Sequence, residues 1–217
     1  MVGIFDSGMG GAFALAELKR LRPDADVAFF ADRRNAPYGI RTREMLIELV
    51  KRDVDLLRTY GVRKILIACC TASTVYRDLS EEYRTGVIPI IDATACAAVM
   101  ESESKRIAVL ATEATVRSCA FERAVYSYCR SAQVVSYAAQ ELVAAIEHGS
   151  EVDGILDEAY AHFDGADTVI LGCTHFAAVE KQIKRKGFAT VNSARIGARL
   201  LSEQIGTGDG TTLYINE

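Results

Sequence analysis

The chain is 217 residues long, 50% hydrophobic and 25% charged, with a formal net charge of −4. That balance excludes a disordered polymer and allows a sizeable core, while the acidic sum argues against the basic footprint of a nucleic-acid binder. No apolar run approaches the roughly 20 residues that span a bilayer, and Met1-Val2-Gly3-Ile4-Phe5-Asp6 lacks the basic-then-apolar pattern of a secretory signal.

Strand and helix patterns alternate from the start. Val2 to Phe5 is a short apolar run, followed by the turn Asp6-Ser7-Gly8-Met9-Gly10-Gly11. Phe13, Leu15, Leu18 and Leu21 then recur at helical spacing up to Pro23. Val27 to Ala31 reads as a second strand and Asp32 to Gly39 as a loop; Thr42 to Tyr60 carries a helical stripe through Met45, Leu46, Leu49, Val50, Val54 and Leu57, stopped by Gly61. Lys64 to Ala68 is a strand, a helix is expected after Ser73, and Val87 to Ile91 is a strand again. Beyond Asp92 the rhythm restarts: a helix over 93–102, a strand over 106–111, a helix over 116–129, a short strand over 133–136, then helices over 141–148 and 152–163. Thr168 to Leu171 is a strand, 195–205 a helix, and Thr212 to Ile215 an edge strand. This β-α alternation predicts an α/β fold of two similar lobes, each a mainly parallel sheet flanked by helices, with the active site in the cleft between them. Residues 1–92 form the first lobe, with 188–217 returning to it, and 93–187 form the second.

The six cysteines are Cys69, Cys70, Cys96, Cys119, Cys129 and Cys173. None are spaced C-x-x-C and only three His are present, so neither a structural zinc site nor a disulfide framework is expected. A reducing cytoplasm with free thiols suits this usage, and Cys96, Cys119 and Cys129 read as small hydrophobes.

Two segments rhyme. Ile65-Leu66-Ile67-Ala68-Cys69-Cys70-Thr71 and Val169-Ile170-Leu171-Gly172-Cys173-Thr174-His175 are both aliphatic runs ending in Cys and Thr. A buried strand ending this way places a thiol at the carboxyl edge of its sheet, where open α/β sheets bind ligands. Two such edges in one chain suggest two thiols facing one cleft, the pair of bases needed to move a proton across a stereocentre. Helix N-terminal N–H groups beyond each Cys are expected to lower the thiol pKa toward the working pH. His175 is placed to assist Cys173. Asp6, at the end of the first strand, suits an ammonium or a base better than a phosphate. His148 and His162 read as surface residues.

These residues resemble the cofactor-independent aspartate/glutamate racemase superfamily, and its glutamate racemases in particular. The motifs are Phe5-Asp6-Ser7-Gly8-Met9-Gly10-Gly11, Pro37-Tyr38-Gly39, Ala68-Cys69-Cys70-Thr71-Ala72-Ser73 and Leu171-Gly172-Cys173-Thr174-His175-Phe176, in order along the chain. The resemblance implies Cys69 and Cys173 as the two bases, assisted by Asp6 and His175, with Glu147 orienting His175. It implies Ser7, Pro37, Tyr38, Gly39, Cys70, Thr71, Thr112, Thr115 and Thr174 around the substrate. It further implies glutamate as the small-molecule substrate, D-glutamate for peptidoglycan as the product, no cofactor and no metal, a homodimer, and neither nucleic-acid nor membrane partners. One departure bears on the substrate. The family usually has Asn after the first catalytic Cys; here it is Cys70, and a thiol is a poor replacement for an amide as donor or acceptor. A relative acting on aspartate or another small carboxylate, or a weakly catalytic binding paralogue, therefore stays open.

Overall fold

Uninterrupted apolar runs build the buried strands, and apolar stripes facing the sheets build the longer helices. The computed structural model describes residues 1–216; Glu217, the last residue of the segment expected to return to the first lobe, lies outside them. In chain order, β1 (Val2–Asp6), α1 (Gly11–Leu21), β2 (Val27–Ala31), α2 (Arg43–Thr59), β3 (Ile65–Ile67), α3 (Cys70–Ser73), α4 (Glu81–Arg84) and β4 (Val87–Ile88) come first. There follow α5 (Ile91–Glu101), β5 (Arg106–Ala111), α6 (Glu113–Arg117), α7 (Ala120–Tyr128), β6 (Gln133–Ala138), α8 (Gln140–His148), α9 (Asp153–Ala161) and β7 (Thr168–Gly172). The chain ends with α10 (Glu180–Arg185), β8 (Ala189–Asn192), α11 (Ser193–Ser202) and β9 (Thr212–Ile215).

The strands form two parallel sheets, ordered β4-β3-β1-β2-β9 and β6-β5-β7-β8. β1, β3 and β7 are buried at every position, as strands covered on both faces must be. Apolar clusters flank each sheet: Phe5, Val50, Val54 and Ile67 on one side of the first and Ile4, Leu18, Leu66 and Ala198 on the other. The second sheet has Ile107, Val109, Phe121 and Ile170 on one side and Leu110, Leu142, Leu171 and Phe176 on the other. Local chemistry sets the helix starts. The side chains of Thr42, Thr112 and Asn192 each accept a hydrogen bond from a backbone N–H three residues on, opening α2, α6 and α11.

The structure refines several sequence expectations. β8 pairs with β7, so the segment expected to return from residue 188 adds a strand to the second sheet before α11 packs back on α1. The helix expected over 116–129 is broken between α6 and α7, where Cys119 takes a left-handed conformation with φ 48°. In place of one helix after Ser73 there are a 3-10 turn, Tyr76–Asp78, and the short α4, while α3 already ends at Ser73. Among the described residues, no helix is long and apolar enough to cross a membrane.

Candidate active site

β3 and β7 are both interior strands of their sheets, and each leads into a cysteine at its carboxyl end. Cys69 caps α3: its Sγ accepts from the Ala72 N–H at 3.5 Å and lies 3.3 Å from Ser7 Oγ. Cys173 precedes a single 3-10 segment, Thr174–Val179, and its Sγ lies 3.7 Å from His175 Nδ1. Both thiols open onto one cavity of about 230 Å³ between the two sheets, and Cys70, Thr71, Thr112 and Thr174 line the same space. Parallel strands of both sheets therefore converge on it with their carboxyl ends, the usual ligand-binding edge of such sheets.

The wall around His175 is built from three segments. Thr174 Oγ1 donates to Asp6 Oδ2 at 3.0 Å, and the Gly8 N–H donates to Asp6 Oδ1 at 2.9 Å. His175 Nε2 lies 2.9 Å from Glu147 Oε1, on α8. Gly10 makes this approach possible: a Cβ there would stand 2.2 Å from Thr174 Oγ1 and 2.8 Å from His175 Nδ1. Asp6 is fully buried behind Thr174 and hydrogen-bonds to neither thiol among the described residues. Burial pushes its carboxyl above the usual range, against the pull of His175 and its two donors.

On the opposite wall three hydroxyls form a closed triangle. Thr71 Oγ1 is 2.8 Å from Thr112 Oγ1 and 3.1 Å from Thr115 Oγ1, and the last two are 2.9 Å apart. Thr115 stands behind the other two rather than on the cavity surface. Pro37, Tyr38 and Gly39 complete this wall, after a cis Ala36–Pro37 peptide. The phenol of Tyr38 does not serve the cavity, however. Its hydroxyl lies 2.7 Å from both Asp32 Oδ2 and Asp53 Oδ2, and Arg52 Nη2 bridges the two carboxylates at 2.5 and 2.9 Å. Pro37, Tyr38 and Gly39 thus line the cavity while the phenol is engaged behind it.

The thiol acidities run opposite to the sequence expectation. Burial, reinforced by the Asp6 carboxylate, pushes Cys69 up to about 11, and burial pushes Cys173 well above the ordinary thiol range, with Cys70 and Cys69 adding to it. Desolvation of the charged thiolate outweighs the few N–H groups that α3 and the 3-10 turn can aim at it. Burial likewise raises Cys70, which packs against Ile90, Ile91 and Phe121. Among the described residues, no group of three His, Cys, Asp or Glu side chains converges as a metal site.

Sequence reasoning missed Gln140, Val143 and Ala144, which line the cavity from α8 together with Glu147. Their spacing of three, four and seven residues is one helical face, so the position of Glu147 was the available clue. Asp32 and Asp53 were also missed; Asp53 sits on the apolar stripe of α2 with nothing in its neighbourhood to mark it.

Comparison with known proteins agrees with this geometry. A family model described as Asp/Glu/Hydantoin racemase matches residues 16–201. The chain is 33% identical over 210 residues to a glutamate racemase of Aquifex aeolicus, covering 93% of this chain and 82% of that one. It is 34% identical over 212 residues to a glutamate racemase of Desulforudis audaxviator, covering 90% and 78%. Among solved structures, a glutamate racemase of Bacillus anthracis superposes with a TM-score of 0.87 at 25% identity, covering 99% of this chain and 86% of the other. The Francisella tularensis glutamate racemase in complex with D-glutamate gives 0.87 at 26% identity, covering 98% and 85%. By the extent of the family match and the placement of both cysteines, the chain belongs to the Asp/Glu/Hydantoin racemase family.

Proposed function

We propose that this chain interconverts L- and D-glutamate by a two-base 1,1-proton transfer between Cys69 and Cys173. The observation that carries the reading is the pair of thiols at equivalent strand ends of two sheets, opening onto one cavity. The thiolate of one cysteine removes the α-proton and becomes a thiol; the carbanion takes a proton from the thiol of the other, which becomes the thiolate. The reverse direction exchanges the roles. Burial holds both thiols above the ordinary range in the free protein. A bound amino acid brings its own ammonium beside the thiols, and a cation there favours a thiolate.

In this reading Asp6 fixes Thr174 and Gly8, Glu147 and His175 form the proton-handling wall beside Cys173, and Ser7 faces Cys69. The Thr71–Thr112 hydroxyls and the Pro37-Tyr38-Gly39 strip hold the carboxylates, with Thr115 anchoring the hydroxyls from behind. In the same reading the lobes divide near residue 92, the protein acts as a homodimer in the cytoplasm, and its D-glutamate serves peptidoglycan synthesis. Proton NMR in D2O tests the chemistry. Wild type should wash the α-proton out of both enantiomers and racemise them, and Cys69→Ala and Cys173→Ala should each abolish racemisation. Racemisation surviving in either variant would refute the two-thiol mechanism.

A further inference from the structure

The loop that carries the Pro37-Tyr38-Gly39 strip is bonded mainly to itself. The Arg41 N–H donates to the Tyr38 carbonyl, Arg41 Nη2 donates to the Asn35 carbonyl at 3.0 Å, and Asn35 Nδ2 donates to Asp32 Oδ1 at 3.0 Å. Among the described residues, one hydrogen bond ties the strip to an element outside residues 32–41: the Tyr38 hydroxyl lies 2.7 Å from Asp53 Oδ2 on α2. On its other flank the strip abuts the second lobe, where a Cβ on Gly39 would stand 2.9 Å from Thr112 Cβ. Gly39 and Thr112 both line the cavity, so a tilt of Tyr38 changes the gap between its two walls. Stability does not call for a carboxylate at position 53. Asp53 is fully buried on the apolar stripe of α2 with Val50 and Val54, and it shares the phenol with a second buried carboxylate, Asp32. Desolvating such groups costs free energy that an apolar residue at the same place avoids.

We propose that Asp53 is a positioning residue for substrate binding, which acts through the Tyr38 hydroxyl to hold the Pro37-Tyr38-Gly39 strip at a fixed distance from Thr112. This rests on the racemase reading, in which the strip and the Thr71–Thr112 hydroxyls hold the carboxylates, and deepens it by naming what sets their spacing. Burial of the Tyr38 ring among Val50, Val54 and Leu46 fixes its depth, and the hydroxyl fixes its direction. Arg52 Nη2, 2.9 Å from Asp53 Oδ1 and 2.5 Å from Asp32 Oδ2, keeps the two carboxylates together around the phenol. Among the described residues, neither Asp53 nor Arg52 hydrogen-bonds to a cysteine-bearing segment, so the strut bears on binding and leaves the two bases in place.

Racemisation kinetics and calorimetric titration with D-glutamate, on Asp53→Ala, Asp53→Asn and Tyr38→Phe, test the strut. Asp53→Ala removes the acceptor; KM and Kd should rise about tenfold, the weight of one weakened hydrogen bond to a charged group, with kcat within about threefold of wild type. Asp53→Asn keeps an acceptor for Tyr38 and should return both constants to within about twofold of wild type. Tyr38→Phe keeps the ring in place and drops only the hydroxyl, so it should match Asp53→Ala, and it carries the test if Asp53→Ala does not fold. An unchanged KM in Tyr38→Phe or in folded Asp53→Ala overturns the proposal, as does a rise in KM that Asp53→Asn fails to reverse, or a fall in kcat alone. In each of these cases racemisation by wild type leaves the racemase reading standing. If wild type neither binds nor turns over glutamate, the racemase reading fails and this one with it.

Discussion

Replacing Asp53 by Asn should change how the stability of the protein depends on pH. The Tyr38 hydroxyl has one hydrogen, yet it sits 2.7 Å from a carboxylate oxygen on each side. Both contacts are good hydrogen bonds only when one carboxyl also carries a proton. Asp53 is the suited one, since burial pushes it from an ordinary 3.8 to about 6 despite the pull of Tyr38 and Arg52. Ionised Asp53 then costs the fold up to roughly 3 kcal/mol, taking 1.36 kcal/mol per pKa unit. Its folded pKa lies above its unfolded one, so between about pH 4 and 6 the native state binds more protons than the unfolded chain. Stability therefore falls as pH rises through that window; below it the cost is absent, above it complete. The amide introduced by Asp53→Asn cannot ionise and keeps an acceptor for Tyr38. Urea unfolding of wild type and Asp53→Asn from about pH 4 to 8 should show wild type losing up to about 3 kcal/mol relative to the variant across the window. Parallel curves would refute a protonated bridge beneath the Pro37-Tyr38-Gly39 strip.

With Cys69 raised to about 11, kcat/KM for glutamate should climb with pH through the neutral and mildly alkaline range, close to tenfold per unit; a profile already flat near neutrality would mean that the free thiol is far more acidic than its burial implies. Gly10→Ala is compatible with the local backbone, φ −59°, yet its methyl meets Thr174 and His175, so kcat should fall about a hundredfold while the fold survives; thermal melts alongside racemisation rates check this, and full activity would contradict the close approach. Glu147→Gln keeps a hydrogen bond to His175 and removes its charge, so kcat should drop about tenfold with KM little moved; a change in KM alone would place Glu147 in substrate binding instead.

Much of the architecture was legible because the central strands announce themselves. Ile65-Leu66-Ile67 and Val169-Ile170-Leu171 are too apolar for any exposed position, and the cysteines that follow fall at the sheet edges by geometry alone. Ala189-Thr190-Val191-Asn192 escaped notice because four residues with two polar ones carry little periodicity; pairing with β7 makes it a strand. The thiol acidities were misjudged because a sequence shows the helix start but not the depth of burial around it. Tyr38 was assigned to the cavity by its motif, whereas its hydroxyl answers to Asp32 and Asp53, one of them fifteen residues away on α2. Gln140 gave no signal because its meaning comes from Gly39, which lies in a distant part of the chain and meets it only across the seam.

The first sheet is begun by residue 2 and finished by residue 215, whereas the strands of the second all lie between residues 106 and 192. During synthesis the second sheet can therefore assemble from one uninterrupted stretch, while β2 waits for β9, which follows every strand of that second sheet, to cover its open edge. The half of the protein that is started first is completed last, and its Cys69 faces a finished partner wall before its own sheet is closed.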